Sequence, residues 1–329
     1  MVRKRRSFGP DERVSGAAGC NFIAPMEGAR RATGIEDPII LHAVNVDGLC
    51  DHNDEKHAGF LPTTVELRGE MNYETIIHEE DGAIAMITLN RPNDGNMFNP
   101  TMCHEIRDCI EKIRRETRTR VVVLTGAGER FFCIGGRKEG MEDTLLYAGV
   151  LPTLEMYEAI DRLQKPVIAS VNGFAVGGGN VLQMVCDLTI AKESAVFRQV
   201  GPMMGSFDAG YGTWYLEDLV GKKRAKDIWF TNPKISAAEA LQMGLINRVV
   251  PDGKLKEETR KYALEVAQRG SFALASIKGA FNARHGGVSG LSRVTHDLLL
   301  RQYLETDESK ELRSAFGEKR APDADKFGH

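Results

Sequence analysis

Between residues 121 and 212, glycines cluster where short apolar runs end. Val121-Val122-Val123-Leu124 leads into Gly126 and Gly128, and then into Phe132-Cys133-Ile134-Gly135-Gly136. Pro166–Val171 leads into Gly173 and the triplet Gly177-Gly178-Gly179. A third cluster runs from Gly201 through Gly205 and Gly210 to Gly212. Runs this short and aliphatic read as buried strands, and the segments after them carry helical spacing. The pattern confines the chain to an α/β fold with short crossovers, whose β-to-α junctions are lined by backbone. Glycine lets N–H groups approach a ligand closely, and a helix N-terminus adds partial positive charge. Two such N–H groups aimed at one oxygen would stabilise an enolate or a tetrahedral oxyanion. Tight turns and close helix packing explain any one cluster equally well. Three at successive junctions favour a backbone-lined site.

Composition narrows the function class. The chain has 34 glycines but only 12 prolines in 329 residues, so it is not low-complexity. With 42% hydrophobic and 27% charged residues it can bury a sizeable core. The 43 basic and 46 acidic side chains leave a net charge of -3, which gives no general attraction to nucleic acid or anionic membrane. Six cysteines without paired spacing fit a reducing compartment. No apolar run reaches the length of a membrane span. The basic start, Met1 to Arg6, is followed by Gly9, Pro10, Asp11 and Glu12 rather than a signal-peptide core. A cytoplasmic protein is expected.

The chain divides near residue 70. Residues 1–31, with seven basic and three acidic side chains, read as a mostly disordered arm. Ile39–Val46 could form one strand. His52 and His57 lie among carboxylates, and a solvated loop explains them better than a metal site because nothing fixes ligand geometry. From Tyr73, two strands (Tyr73–His78 and Ala83–Leu89) flank a hairpin turn. A helix follows from Pro100, with Ile106, Ile110 and Ile113 on one face, and another covers about 154–162. Helices dominate after Asn180, including separate ones at about 272–282 and 288–304. The expected division is an N-terminal extension (1–70), an α/β core (71–255) and a C-terminal helical region (256–329).

Competing motifs are missing. There is no G-x-x-x-x-G-K-[ST] phosphate loop, no G-x-G-x-x-G after a strand, and no G-x-S-x-G elbow around Ser206. Asp208, between glycines and two residues after Ser206, is the acid candidate; turn formation or helix capping is its ordinary use. Tyr303 shares a helix face with Leu299 and Leu300, and Trp229 sits in a similar setting, so core packing is the plain reading of both.

These residues carry a resemblance. Phe132-Cys133-x-Gly135-Gly136, Val171-Asn172-Gly173 through Gly177-Gly178-Gly179-Asn180-Val181-Leu182, and Cys186-Asp187-Leu188 are similar to the crotonase (enoyl-CoA hydratase/isomerase) superfamily. Gln199-x-Gly201-Pro202-x-x-Gly205-Ser206-x-Asp208-x-Gly210-Tyr211-Gly212, through Lys222-Lys223 to Trp229, resembles one branch. That branch holds 1,4-dihydroxy-2-naphthoyl-CoA synthase and 2-ketocyclohexanecarboxyl-CoA hydrolase. The likeness runs from about Tyr73 to Phe327. It implies a ββα spiral core with a C-terminal helical trimerisation region, trimers or dimers of trimers, and acyl-CoA thioester substrates. It implies no tightly bound cofactor and no metal. Coenzyme A enters only as part of the substrate.

By motif, the oxyanion N–H groups belong to Gly136 and Gly178. Asp208 matches the branch's acid/base, Ser206 its hydrogen-bonding partner, and Tyr303 a tyrosine from the C-terminal region, often a neighbour's. Gln199, Gly201 and Trp229 match positions that hold bicarbonate in some naphthoyl-CoA synthases, and Tyr147 matches a tyrosine of a substrate loop. The two hydratase glutamates are missing; Val181 stands at one position. Arg137 replaces the branch's usual aspartate, and Gly95 and Asn99 replace basic residues around Asn96-Met97-Phe98.

The expected chemistry is ring-opening C–C hydrolysis of a cyclic β-keto acyl-CoA. The alternatives are the reverse-sense ring-closing condensation and a general hydratase/isomerase-type reaction. A catalytically silent homologue serving as a binding subunit is the alternative of another class, motivated by Arg137 and the N-terminal arm.

Overall fold

A computed structural model describes residues 72–136, 151–207 and 210–327. The expected arm, the strand at 39–46, the histidine-rich stretch, Arg137, Tyr147 and Asp208 lie outside the described residues. Strands β1 (Ile76–Asp81) and β2 (Ile84–Leu89) form the expected hairpin, pairing antiparallel around Gly82. A sixteen-residue helix α1 (Pro100–Arg115) follows. Asn99 caps it by accepting from the Met102 N–H at 2.9 Å. Its buried residues Met102, Ile106, Cys109, Ile110 and Ile113 form one stripe at helical spacing.

The chain then repeats one unit. A longer strand enters a large sheet, a three-residue strand enters a small one, and a helix returns. The units are β3 (Val121–Gly126), β4 (Phe131–Cys133) and α2 (Thr153–Arg162); then β5 (Val167–Val171), β6 (Phe174–Val176) and α3 (Gly178–Val185). The third is β7 (Leu188–Lys192), β8 (Val196–Arg198) and, after a loop, α4 (Tyr211–Val220). Next come α5 (Lys222–Thr231), β9 (Ile235–Ser236), α6 (Ala237–Gln242), β10 (Arg248–Val250) and α7 (Leu255–Ala267). The large sheet has the order β1-β2-β3-β5-β7-β10, parallel apart from β1; the small one has the order β4-β6-β8-β9, parallel apart from β9.

Alternation along the strands separates two cores. Val122, Leu124, Val167, Ala169 and Val171 face α1, α2 and α3, whereas Val121, Val123 and Ile168 face α7. A sheet covered on both faces explains why its strands read as continuous aliphatic runs. Ile106 is fully buried on the first face, and such a side chain contributes about 1.5–3 kcal/mol.

The helix α8 (Ser271–Val294) is two arms that reverse at Gly287, where φ is 53° and ψ is -132°. A Cβ at Gly290 would lie 2.8 Å from Ala283 Cα, and one at Gly279 would lie 3.4 Å from Leu298 Cδ1. The arms therefore lie against each other, which agrees with two expected helices rather than one. Lys278, nearly buried, ties the first arm to the core: its Nζ donates to Asp187 Oδ2 at 2.8 Å and to the Ile160 carbonyl at 3.1 Å. A π-helical stretch (Thr295–Leu300), α9 (Arg301–Tyr303) and α10 (Asp307–Gly317) complete the described chain.

Candidate active site

The two glycine candidates come together around one aromatic ring. Gly136 pairs with Phe98 in an isolated parallel bridge, and the Phe98 N–H donates to the Gly135 carbonyl at 3.0 Å. A Cβ at Gly136 would stand 2.9 Å from Phe98 Cε2, and one at Gly178 would stand 2.6 Å from Phe98 Cζ. The same ring thus closes on both glycines. Gly135, at φ +102°, leaves a gap that a Cβ would fill only 3.2 Å from the Gly178 nitrogen. Neither the Gly136 nor the Gly178 N–H has a backbone acceptor among the described residues. Gly178 opens α3, where the first N–H groups have no partner within the helix. Both N–H groups are therefore available to a ligand at this junction.

The loop after β8 closes on itself. The Ser206 N–H donates to the Gly201 carbonyl at 2.8 Å around the turn Pro202–Met204. Ser206 and Phe207 are thereby held at its exposed rim. Gly210 caps α4 and faces Leu154 of α2, while Leu151, just ahead of α2, covers Gly136. The chain at the start of α2 therefore touches both Gly136 and the Gly210 junction.

Gln199 is fully buried, and neither polar atom of its amide has a partner among the described residues; the same holds for Trp229 Nε1. Arg198 Nε donates to the Asn232 carbonyl at 2.8 Å, joining the end of β8 to the end of α5, so the segments carrying Gln199 and Trp229 meet. Buried donors normally have acceptors. Neither the Gln199 amide nor the Trp229 indole finds one among the described residues. Val181, where a hydratase would carry glutamate, is buried on α3.

Tyr303 stands apart from the core. It is 39% exposed and its hydroxyl donates to Glu308 at 3.2 Å; Leu299 and Leu300 beside it are also exposed. The core-packing reading of this face is corrected: it projects from the C-terminal helices. Trp229, by contrast, packs partly buried against the main core.

Sequence reasoning missed an aromatic series behind the glycines. Phe98 meets Tyr157 edge-on at 6.4 Å; Tyr157 meets Tyr211 at 6.3 Å, and Tyr211 meets Tyr215 at 5.5 Å. The Tyr157 hydroxyl donates to the Gly178 carbonyl at 2.9 Å. Beyond Tyr211 lies a cavity of about 390 Å³ between α2, α4 and α8. In it Tyr215 donates to Asp161, whose carboxyl burial pushes above its ordinary value despite that bond. Burial and nearby carboxylates push Tyr211 up to about 12, so its phenol stays protonated. Helical spacing marks these tyrosines as inward-facing but says nothing of their partners.

Burial also holds the Cys103, Cys109 and Cys133 thiols near about 12, as expected of inert packing residues. No group of three or more His, Cys, Asp or Glu that could hold a metal occurs among the described residues. No helix among them is long and apolar enough to cross a membrane.

Residues 79–326 match the enoyl-CoA hydratase/isomerase family. The chain is similar to an enoyl-CoA hydratase from Bacillus anthracis, with 32% identity over 76% of this chain and 98% of that one, at a TM-score of 0.62. An enoyl-CoA hydratase subunit from Geobacillus kaustophilus matches at 33% identity over the same shares, with a TM-score of 0.61. A probable enoyl-CoA hydratase/isomerase from Mycobacterium abscessus matches at 28% identity over 76% and 98%, with a TM-score of 0.62. The chain belongs to the enoyl-CoA hydratase/isomerase family and has the crotonase fold. Members of this superfamily are generally acyl-CoA-processing enzymes.

Proposed function

We propose that this enzyme cleaves a carbon–carbon bond in a cyclic β-keto acyl-CoA. The observation that carries the reading is the approach of both Gly136 and Gly178 to the one Phe98 ring. Water adds to the ring ketone, and the bond between the α and β carbons breaks. Its electron pair moves into the thioester as an enolate whose oxygen accepts from the Gly136 and Gly178 N–H groups. Asp208, assisted by Ser206 and Tyr303, moves the protons: one leaves the attacking water and one reaches the α carbon. The product is an open-chain acyl-CoA with a new carboxylate. A buried valine at position 181 supports this over simple hydration, which uses a glutamate pair.

The unpartnered Gln199 and Trp229 favour a second reading, ring closure of the naphthoyl-CoA synthase type. Bicarbonate, if held by Gln199, Trp229 and the Gly201 backbone, would supply a base for the enolisation.

The test is to incubate the purified protein with 2-ketocyclohexanecarboxyl-CoA, succinylbenzoyl-CoA and crotonyl-CoA. Ring opening of the first is expected; turnover of the second alone selects the synthase. Hydration of crotonyl-CoA with neither of the others consumed overturns both. Asp208→Asn should lower kcat by about 10²-fold or more, and a variant at wild-type rate removes its role.

A further inference from the structure

Three successive glycines are the least constrained backbone a chain can carry, yet an oxyanion donor must be held within a fraction of an ångström to act. The triplet Gly177-Gly178-Gly179 therefore needs anchors from outside itself. The Gly177 N–H donates to the Arg198 carbonyl at 2.9 Å, and the Gly177 carbonyl accepts from the Val181 N–H at 3.1 Å. Gly179 is pressed onto the Cys133 carbonyl, which a Cβ there would meet at 1.9 Å. The Gly178 N–H lies in the 177–178 peptide, which that Gly177 carbonyl bond fixes. The next peptide, 178–179, is held differently. Its carbonyl accepts from the Tyr157 hydroxyl at 2.9 Å, and Tyr157 is the one side chain among the described residues that hydrogen-bonds the triplet.

Tyr157 is 7% exposed, and its hydroxyl would stand 3.2 Å from a Cβ at Gly178. Its ring is perpendicular to Phe98, the ring that closes on both oxyanion glycines. The loop bearing Phe98 is pinned in turn by Asn96, whose Nδ2 donates to the Ala127 carbonyl at 3.0 Å and the Phe131 carbonyl at 2.8 Å. On its other side Tyr157 meets Tyr211, the first residue of α4, directly beyond the loop that carries Ser206 and Asp208.

We propose that Tyr157 is a positioning residue of the oxyanion hole, its hydroxyl fixing the 178–179 peptide immediately after the donor N–H while its ring sets Phe98 against both glycines. It touches no reacting atom. It acts through Gly178, and through Tyr211 it couples the oxyanion donors to the acid loop. The inference rests on the oxyanion reading of Gly136 and Gly178, and extends to whichever acyl-CoA reaction that hole serves.

The experiment uses acetoacetyl-CoA, a β-keto thioester that reports enolate formation by its ultraviolet absorbance without a ring to open. Wild type is expected to shift the bound probe toward enolate. Tyr157→Phe should lower the bound enolate fraction about five- to tenfold, raise the apparent pKa of enolisation, and leave the Kd for free coenzyme A unchanged. A residue that merely packs would lower Tm without moving the enolisation pKa, and that result overturns the proposal. Should Tyr157→Phe fail to fold, fluorotyrosine placed at 157 supplies the second arm. As a stronger donor of nearly the same shape it should raise the enolate fraction, and an unchanged fraction overturns the role. Failure of the underlying reading looks different: wild type then gives no enolate signal, whereas a signal that Tyr157→Phe matches removes the positioning role alone.

Discussion

Gly178 and Gly179 are adjacent, yet an added methyl group would meet opposite obstacles. At Gly178 it meets the edge of the Phe98 ring and the Tyr157 hydroxyl, both side chains that can shift. At Gly179 it meets the Cys133 backbone carbonyl, which moves only if β4 moves. Gly178→Ala should therefore keep the fold and, with Gly178 as the proposed oxyanion donor, lower kcat by about 10²-fold. Gly179→Ala should lower stability, at the upper end of about 1–3 kcal/mol for an overpacked site. Steady-state kinetics and urea unfolding on both variants check the contrast; equal effects on both would refute it. The sequence placed both residues in one cluster, where turn and site are not told apart from that cluster alone. What separates them is which atoms stand opposite, and those come from Phe98, 80 positions upstream of Gly178, and from β4. Residue spacing along the chain carries no such information. Asn99, noted only as standing where the branch carries a basic residue, is the N-cap of α1.

Among the elements, those with room for a period were legible and the shortest were not. The sixteen residues of α1 display their stripe, and the aliphatic runs of β3 and β5 announce buried strands. The three-residue strands β4, β6 and β8 carry too few side chains to show alternation, so the second sheet emerged only in the structure. The end of α10 was equally silent about its charge arrangement. Glu311, nearly buried, accepts from Arg320 at 2.5 Å, from the Asp323 N–H at 2.9 Å and from Lys326 at 2.9 Å. Led by the Arg320 bond, these partners hold its carboxyl down at about 2, below the ordinary 4.5. A depressed folded value means the stabilisation is complete above the unfolded value and fades as pH falls from 4.5 toward 2. Hydrogen exchange of residues 307–327, corrected for intrinsic rates, should show protection that is constant above pH 5 and declines below about 4.5. Glu311→Gln should lose that protection already at pH 7 and show little further change on acidification. A wild-type segment protected equally at pH 3 and pH 7 would count against the clamp.

On the scale of the whole molecule, the glycine-ended runs are the outward sign of a ββα unit used three times. The repetition is one of backbone course: Val121–Gly126, Val167–Val171 and Leu188–Lys192 share strand character without sharing a motif, so no repeat shows in the sequence. Each unit delivers a glycine-rich junction to the same region, which is how distant residues such as Gly136 and Gly178 meet. The C-terminal helices pose the remaining question. Phe281, Val288 and Leu291 on the two arms of α8 are 74%, 83% and 64% exposed, and Tyr303 lies outward on the segment that follows. Large apolar side chains exposed together mark an association surface. We propose that further copies of the chain cover this face and that Tyr303 serves a neighbour's site. Light scattering should therefore give three or six times the 36.3 kDa chain mass. The double variant Val288→Asp with Leu291→Asp should reduce that mass to one chain and lower kcat to the level of Tyr303→Phe. A monomeric wild type would remove the shared-site arrangement, and so would a monomeric variant with full activity, because Tyr303 would then serve its own chain or none.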